Sequence, residues 1–216
     1  MKAVHPIKAN PGNAILVVAN MQNDFCKPGG AIYDERSPKE MPGVIQRIRT
    51  LAGQARSVGI PVLHLQSLRT LKEPEFTTYG HKPYVKEGSW GAQIIDELKP
   101  HPKDHVVPVW HLEPFVAPRL EYLLQGIVET PTRYHAIVAG GDIGGFGFVT
   151  VIGFYVRGFW TVVPIDAFYG DQASRDFALN GRFSATSQKS VFLSRSDLIQ
   201  FSTAPLPGVT GLVPGE

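Results

Sequence analysis

The apolar run Ala136-Ile-Val-Ala139 passes straight into the glycine-dense stretch Gly140-Gly-Asp-Ile-Gly-Gly145, then a helix-forming segment from Phe146, then a second apolar run, Phe159-Trp-Thr-Val-Val-Pro-Ile-Asp166. Nothing else in the chain restricts its fold so tightly. Unbroken apolar strands, as opposed to alternating ones, are covered on both faces, and strand–helix–strand order implies a parallel sheet. Ligands of such sheets bind beyond the carboxyl ends of the strands. The turn from Gly140 to Phe146 therefore lies beside any site. Two nucleotide readings fail here: no Gly-x-Gly-x-x-Gly threads through Gly140–Gly147, and no Lys follows as a phosphate loop needs.

The same strand grammar recurs upstream. Ala14-Ile-Leu-Val-Val-Ala19, Pro61-Val-Leu-His-Leu-Gln66 and His105-Val-Val-Pro-Val-Trp110 read as strands, the last suited to a sheet edge by Pro108. Val44, Ile45, Ile48, Leu51, Ala52 and Ala55 keep helical spacing before Gly59, and Pro118 opens another helix. Trp90–Leu98 reads as a short helix, Ser190–Leu193 as a sixth strand and Ser196–Phe201 as a closing helix. Alternation of this kind predicts an α/β fold, a doubly wound parallel sheet between two helical layers. Residues 1–13 read as a polar arm, 14–203 as the domain and 204–216 as a tail.

Composition narrows the function classes. The 216 residues carry a net charge of only +2, with Lys and Arg scattered, so no footprint for nucleic acid or an anionic membrane appears. One cysteine, Cys26, excludes an internal disulfide and a multi-Cys metal site, and a reducing cytoplasm is the expected setting. No apolar run reaches membrane-spanning length, and the first residues lack a signal-peptide core.

Asn20-Met-Gln-Asn-Asp-Phe-Cys26 with Pro28-Gly-Gly30, Gly88-Ser-Trp-Gly-Ala-Gln-Ile-Ile-Asp-Glu-Leu98, Phe115 with Leu120–Leu124, then Gly140, Thr150, Gly158 and Asp166-Ala167 together resemble the isochorismatase-like (cysteine) hydrolases. The likeness spans roughly residues 14–203. It implies a three-layer α/β/α fold with a six-stranded parallel sheet, and a homo-oligomer. Family chemistry pairs an Asp ending the first strand, a Lys after the third, and a Cys opening the helix after the fourth. Helix dipole and Lys lower the thiol pKa while the Asp moves protons. Here those positions fall on Asn20, on Val109 or Trp110, and on Phe146. Cys26 lies in the first motif and does not replace the nucleophile. Relatives that bind metal use an Asp where Gln66 stands, so neither metal nor cofactor is expected.

The remaining candidates divide between binding and proton transfer. Asn20 can orient a carbonyl or carboxylate, or persist as a relic bonded to the Gly140–Gly145 loop. Trp110 and Phe146, beside Gly145, form an aromatic cleft or else fill it. Arg69 and Tyr169 are candidate contacts for an anionic substrate, with surface placement and capping as the plain alternatives. His111, Glu113 and Asp142 are the candidate acid–base groups, against a solvated loop for the first two and a backbone-bonded turn for Asp142. His135 begins a strand and lies at the far end.

Exchanging the family's Asp and Lys for neutral residues favours a small cyclic or aromatic acid in a desolvating cleft, where decarboxylation or direct attack by water proceeds without a thiolate. A catalytically dead relative retained as a small-ligand binder or oligomer partner is the second reading. An amide hydrolase with its catalytic groups in another register is the third.

Overall fold

The computed structural model describes residues 4–35, 39–128, 130–131, 134–183 and 190–203. Its strands are β1 (Ile7–Ala9), β2 (Ala14–Ala19), β3 (Val62–Ser67), β4 (His105–Val109), β5 (His135–Gly140), β6 (Trp160–Pro164), β7 (Val191–Ser194) and β8 (Ile199–Phe201). Six form one sheet in the order β4-β3-β2-β5-β6-β7, and every pairing in it is parallel. From β2 the chain winds outward through β3 to β4, then returns to β5 and winds the other way. The switch point thus falls between β2 and β5, where Ala19 pairs with Gly140.

Both central strands are buried along their whole length, as their unbroken apolar runs require. Alternate residues of β2 feed opposite layers. Leu16 and Val18 pack toward α2 (Met41–Val58), with its stripe of Val44, Ile45, Ile48, Leu51, Ala52 and Ala55. Ile15, Val17 and Ala19 share the other layer with Leu120 and Leu124 of α4 (Pro118–Ile127) and Val151 and Phe154 of α5 (Phe146–Val156). Gly59 ends α2 in the left-handed region, φ 85°, its N–H reaching the carbonyls of Ala55 and Arg56. Pro108 lies in β4 at the sheet edge, where a missing donor costs nothing on the outer side.

Three expectations need correction, and one element was not foreseen. Ile7–Ala9 is no loose polar arm: Ile7 and Ala9 are fully buried, and the segment pairs with β8. The chain at 196–201 is a 3-10 turn, Ser196–Leu198, followed by that strand. The long loop after β3 carries a single helical turn, α3 (Pro74–Thr77). Residues 90–98 do not form a helix until the 3-10 turn Asp96–Leu98, because their backbone is engaged elsewhere. The amides of Asn23 and Asp24 donate to Gln93 and Gly91, and Ile95 donates to Met21. The 204–216 segment lies outside the described residues.

Candidate active site

The first motif turns out to be mainly a clasp. It continues into α1 (Asn23–Cys26). Gln22 is fully buried; its Nε2 donates to the carbonyls of Ser67 and Ala92, and its Oε1 accepts from the Ser67 amide. Asn23 donates to the Trp90 carbonyl at 2.8 Å. The buried Asp24 carboxylate accepts from the amides of Val85 (2.6 Å) and Ala31 (2.8 Å). Gly91 is required because a Cβ there would stand 2.1 Å from that carboxylate. These groups fasten the 67–95 excursion over the carboxyl edge of the sheet.

Asn20 directly follows β2 with φ 49°, a left-handed conformation that Asn tolerates better than most residues. Its amide donates to the Leu65 carbonyl, and its Oδ1 accepts from Ser67 Oγ at 2.8 Å. This contact ties the Asn20 side chain across to β3. Tyr169 contributes a hydroxyl 3.4 Å from the Asn20 carbonyl and is itself buried. Across the switch point Gly140 has φ 77°, and a Cβ on it would lie 2.7 Å from the Ala19 carbonyl. Phe146 opens α5 as expected, with Gly145 as an N-cap lacking a side-chain bond. Its ring is buried at 5% exposure, and Val109 is fully buried. Asn20, Val109 and Phe146 thus lie near the carboxyl edge of the sheet, with Trp110 following Val109 in the chain.

The three proposed proton carriers are held separately. Asp142 accepts from the Gly144 amide at 2.8 Å, a short-range turn contact that holds the loop. Glu113 caps the 3-10 turn Pro114–Val116 by accepting from the Phe115 amide at 3.1 Å. His111 is exposed and joins Trp110 in a groove of about 540 Å³ at the outer edge of β4. Val116, Pro118 and Arg119 complete this groove, and the α4 N-terminus beside it has no side-chain cap. Arg69 is buried, not at the surface: it donates to the Leu68 carbonyl, pairs with Glu75 at 3.2 Å and stacks 5.9 Å from the Tyr84 ring. Asp171 caps α6 (Gln172–Arg175), accepting from the Ser174 amide.

Burial pushes the Cys26 thiol well above its ordinary pKa, outweighing the Gln22 backbone bond and nearby Lys27. A thiol kept neutral is a poor nucleophile. His64 is buried with Nε2 3.2 Å from Asp104 Oδ2, and burial holds its pKa below the ordinary value against the pull of Asp104. Burial also opposes the Asp104 charge, but the Arg56 and His101 hydrogen bonds prevail and lower its pKa. Among the described residues no three His, Cys, Asp or Glu side chains gather as a metal site. No described helix is long and apolar enough to cross a membrane.

Ser67 and Arg119 escaped the sequence reading. The signal for Ser67 was its place at the end of a strand beside the one carrying Asn20. The signal for Arg119 was a cation in the first turn of a helix, against the dipole.

Known proteins are similar to this chain in sequence and in fold. Two ureidoacrylate amidohydrolases called RutB match: that of Pseudomonas savastanoi pv. phaseolicola is 32% identical over 130 residues, covering 48% of this chain and 50% of the relative. That of Methylobacterium radiotolerans is 30% identical over 128 residues, covering 47% of each. The chain spans about half the length of these curated relatives. Among solved structures, a cysteine hydrolase from Pseudomonas syringae pv. phaseolicola superposes with TM-score 0.71 at 17% identity, covering 91% of this chain and 94% of that one. N-carbamoylsarcosine amidase from Thermoplasma acidophilum gives 0.68 at 21%, covering 86% and 97%. At such identities the structural likeness speaks for the α/β fold alone. The isochorismatase domain model matches residues 14–186, and the chain therefore belongs to the isochorismatase family.

Proposed function

We propose that this chain binds a small aromatic or cyclic carboxylic acid beside the carboxyl end of β4 and does so without thiolate chemistry. The observation that carries the reading is the convergence of an indole, an imidazole and a guanidinium, Trp110, His111 and Arg119, on one groove. Trp110 offers a face 37% exposed for stacking, and Arg119 with the uncapped start of α4 offers charge for a carboxylate. Against thiolate chemistry stand the buried Cys26 and the aromatic ring at the helix start after β5.

The test is a thermal-shift and calorimetric panel of benzoate, a cyclohexene carboxylate and the neutral amide of each. Binding of the acids alone, lost in Trp110→Ala and weakened in Arg119→Gln, is the expected result. A parallel assay for ammonia release from ureidoacrylate and N-carbamoyl amides should give none. Turnover abolished by Cys26→Ser would overturn the proposal.

His111 supports a second reading, in which the bound acid is also turned over by acid–base chemistry, as a decarboxylating lyase or a water-using hydrolase. Release of CO₂ or aldehyde that disappears in His111→Gln, with acid binding retained, identifies that activity. Rates unchanged by the substitution remove His111 from it.

A further inference from the structure

A second groove, of about 580 Å³, opens beyond the carboxyl ends of β6 and β7, on the far side of the sheet's switch point from β4. Lys39, Glu40, Gly43, Val44 and Arg47 line it from the start of α2, Ile165 and Asp166 from the turn after β6, Arg175 from α6 and Arg195 from the turn after β7. Four cations thus face two carboxylates.

Their partners divide these groups into fixed and exchangeable ones. Arg175 is built into the fold: it donates to the carbonyls of Gly170, Ile165 and Phe168, and its side chain is only 18% exposed. The same Nη2 that reaches Phe168 also meets Glu40 at 2.7 Å, and that side chain is 56% exposed. Asp166 is satisfied from behind, accepting from Ser196 N at 2.8 Å and Ser196 Oγ at 2.7 Å. Arg47 stands 3.4 Å from Asp166 with its side chain 45% exposed, while Arg195 is 54% exposed and pairs with Asp197 on the outer rim. Glu40 therefore occupies, from the exposed side, the outward nitrogen of a rigidly held guanidinium. Lys39, Arg47 and Arg195 line the groove around it, Arg47 also donating to the Asp166 carbonyl at 3.2 Å and Arg195 to both Asp197 carboxylate oxygens.

We infer that this groove is an anion site for a phosphate monoester, with Glu40 acting as a displaceable carboxylate that the phosphate replaces on Arg175. Guanidinium forks match phosphate oxygens in pairs, and three of them with one ammonium outnumber the two carboxylates, Glu40 and Asp166, that line the groove. Ile165, half-buried at the groove, supplies an apolar contact for the ester's organic part.

The experiment measures calorimetric binding of inorganic phosphate and of a simple phosphate monoester to the full chain, in a chloride buffer of matched ionic strength. Succinate serves as the dicarboxylate comparison. Arg47→Gln combined with Arg195→Gln should weaken phosphate by about tenfold or more, the loss expected for charge-assisted contacts. Glu40→Gln should tighten it several-fold, because the internal competitor is gone. Both substituted arginines are surface side chains, and Lys39→Gln provides an independent weakening variant. Absence of phosphate binding, equal binding by the wild-type and double-arginine proteins, or succinate binding as tightly as phosphate would each overturn the assignment.

Discussion

Phe146→Ala tests most directly whether the crevice at the switch point is packed. The ring is buried to 5% exposure, at the first position of α5, in the layer that also holds Ile143, Val151 and Phe168. Truncating a buried Phe to Ala costs about 3–5 kcal/mol, from lost transfer energy and the void left behind. The higher helix propensity of Ala returns about 0.5 kcal/mol. The net loss of about 3–4 kcal/mol corresponds to a Tm lower by about 10 °C in a chain of this size. Urea denaturation and calorimetry measure the two quantities independently. The void is apolar and ring-sized, so benzene or indole should restore part of the lost Tm in the variant and leave the wild type unchanged. A loss below about 1 kcal/mol, with no rescue by either ligand, would show that the ring does not pack there. The crevice would then be open to substrate, and the groove beside β4 would lose its claim to the ligand.

Two further perturbations follow from the same geometry. Gly91→Ala places a methyl 2.1 Å from the Asp24 carboxylate, so it should cost about 2–4 kcal/mol and expose the 67–95 excursion to protease before the sheet unfolds; equal protection in both proteins would refute the clasp. His64 and His135 are buried with pKa values held below the ordinary range, chiefly by burial, with Asp104 opposing at the first and the Asn13 backbone at the second. Unfolding then takes up protons below about pH 6.5, so stability should be flat above that pH and fall on acidification, by up to about 1.4 kcal/mol per pH unit for each histidine until its folded pKa is reached. Urea titrations from neutral pH to pH 5 give the slope; His135→Phe should reduce it, and an unchanged slope would clear that residue.

The central sheet was legible because burial on both faces leaves an unmistakable trace: β2 and β5 are apolar at nearly every position, and Gly140 marks a place where a Cβ cannot fit. Phe146 at the start of α5 followed from the same stretch. The carboxylates were harder, because a side chain that binds its own neighbouring amide looks, in sequence, like one waiting for a substrate. Asp142 and Glu113 both proved to be turn-holding groups. Arg69 misled in the opposite direction: a charged loop residue reads as exposed until Glu75 and Tyr84 are folded around it. The clasp between 20–24 and 90–95 was illegible as structure, since each of its hydrogen bonds has at least one end on a backbone group that every residue possesses.

The pairing of Ile7–Ala9 with Ile199–Phe201 fixes the order in which the chain can close. As synthesis proceeds, Ile7 and Ala9 have no strand to lie against until β2 through β7 have been made. The intervening sheet must first bring the two segments together, since the entropy of closing so long a loop has to be met by other contacts. The small two-stranded ribbon is therefore a latch set after the main sheet, and its apolar side chains stay wet while that sheet is being made.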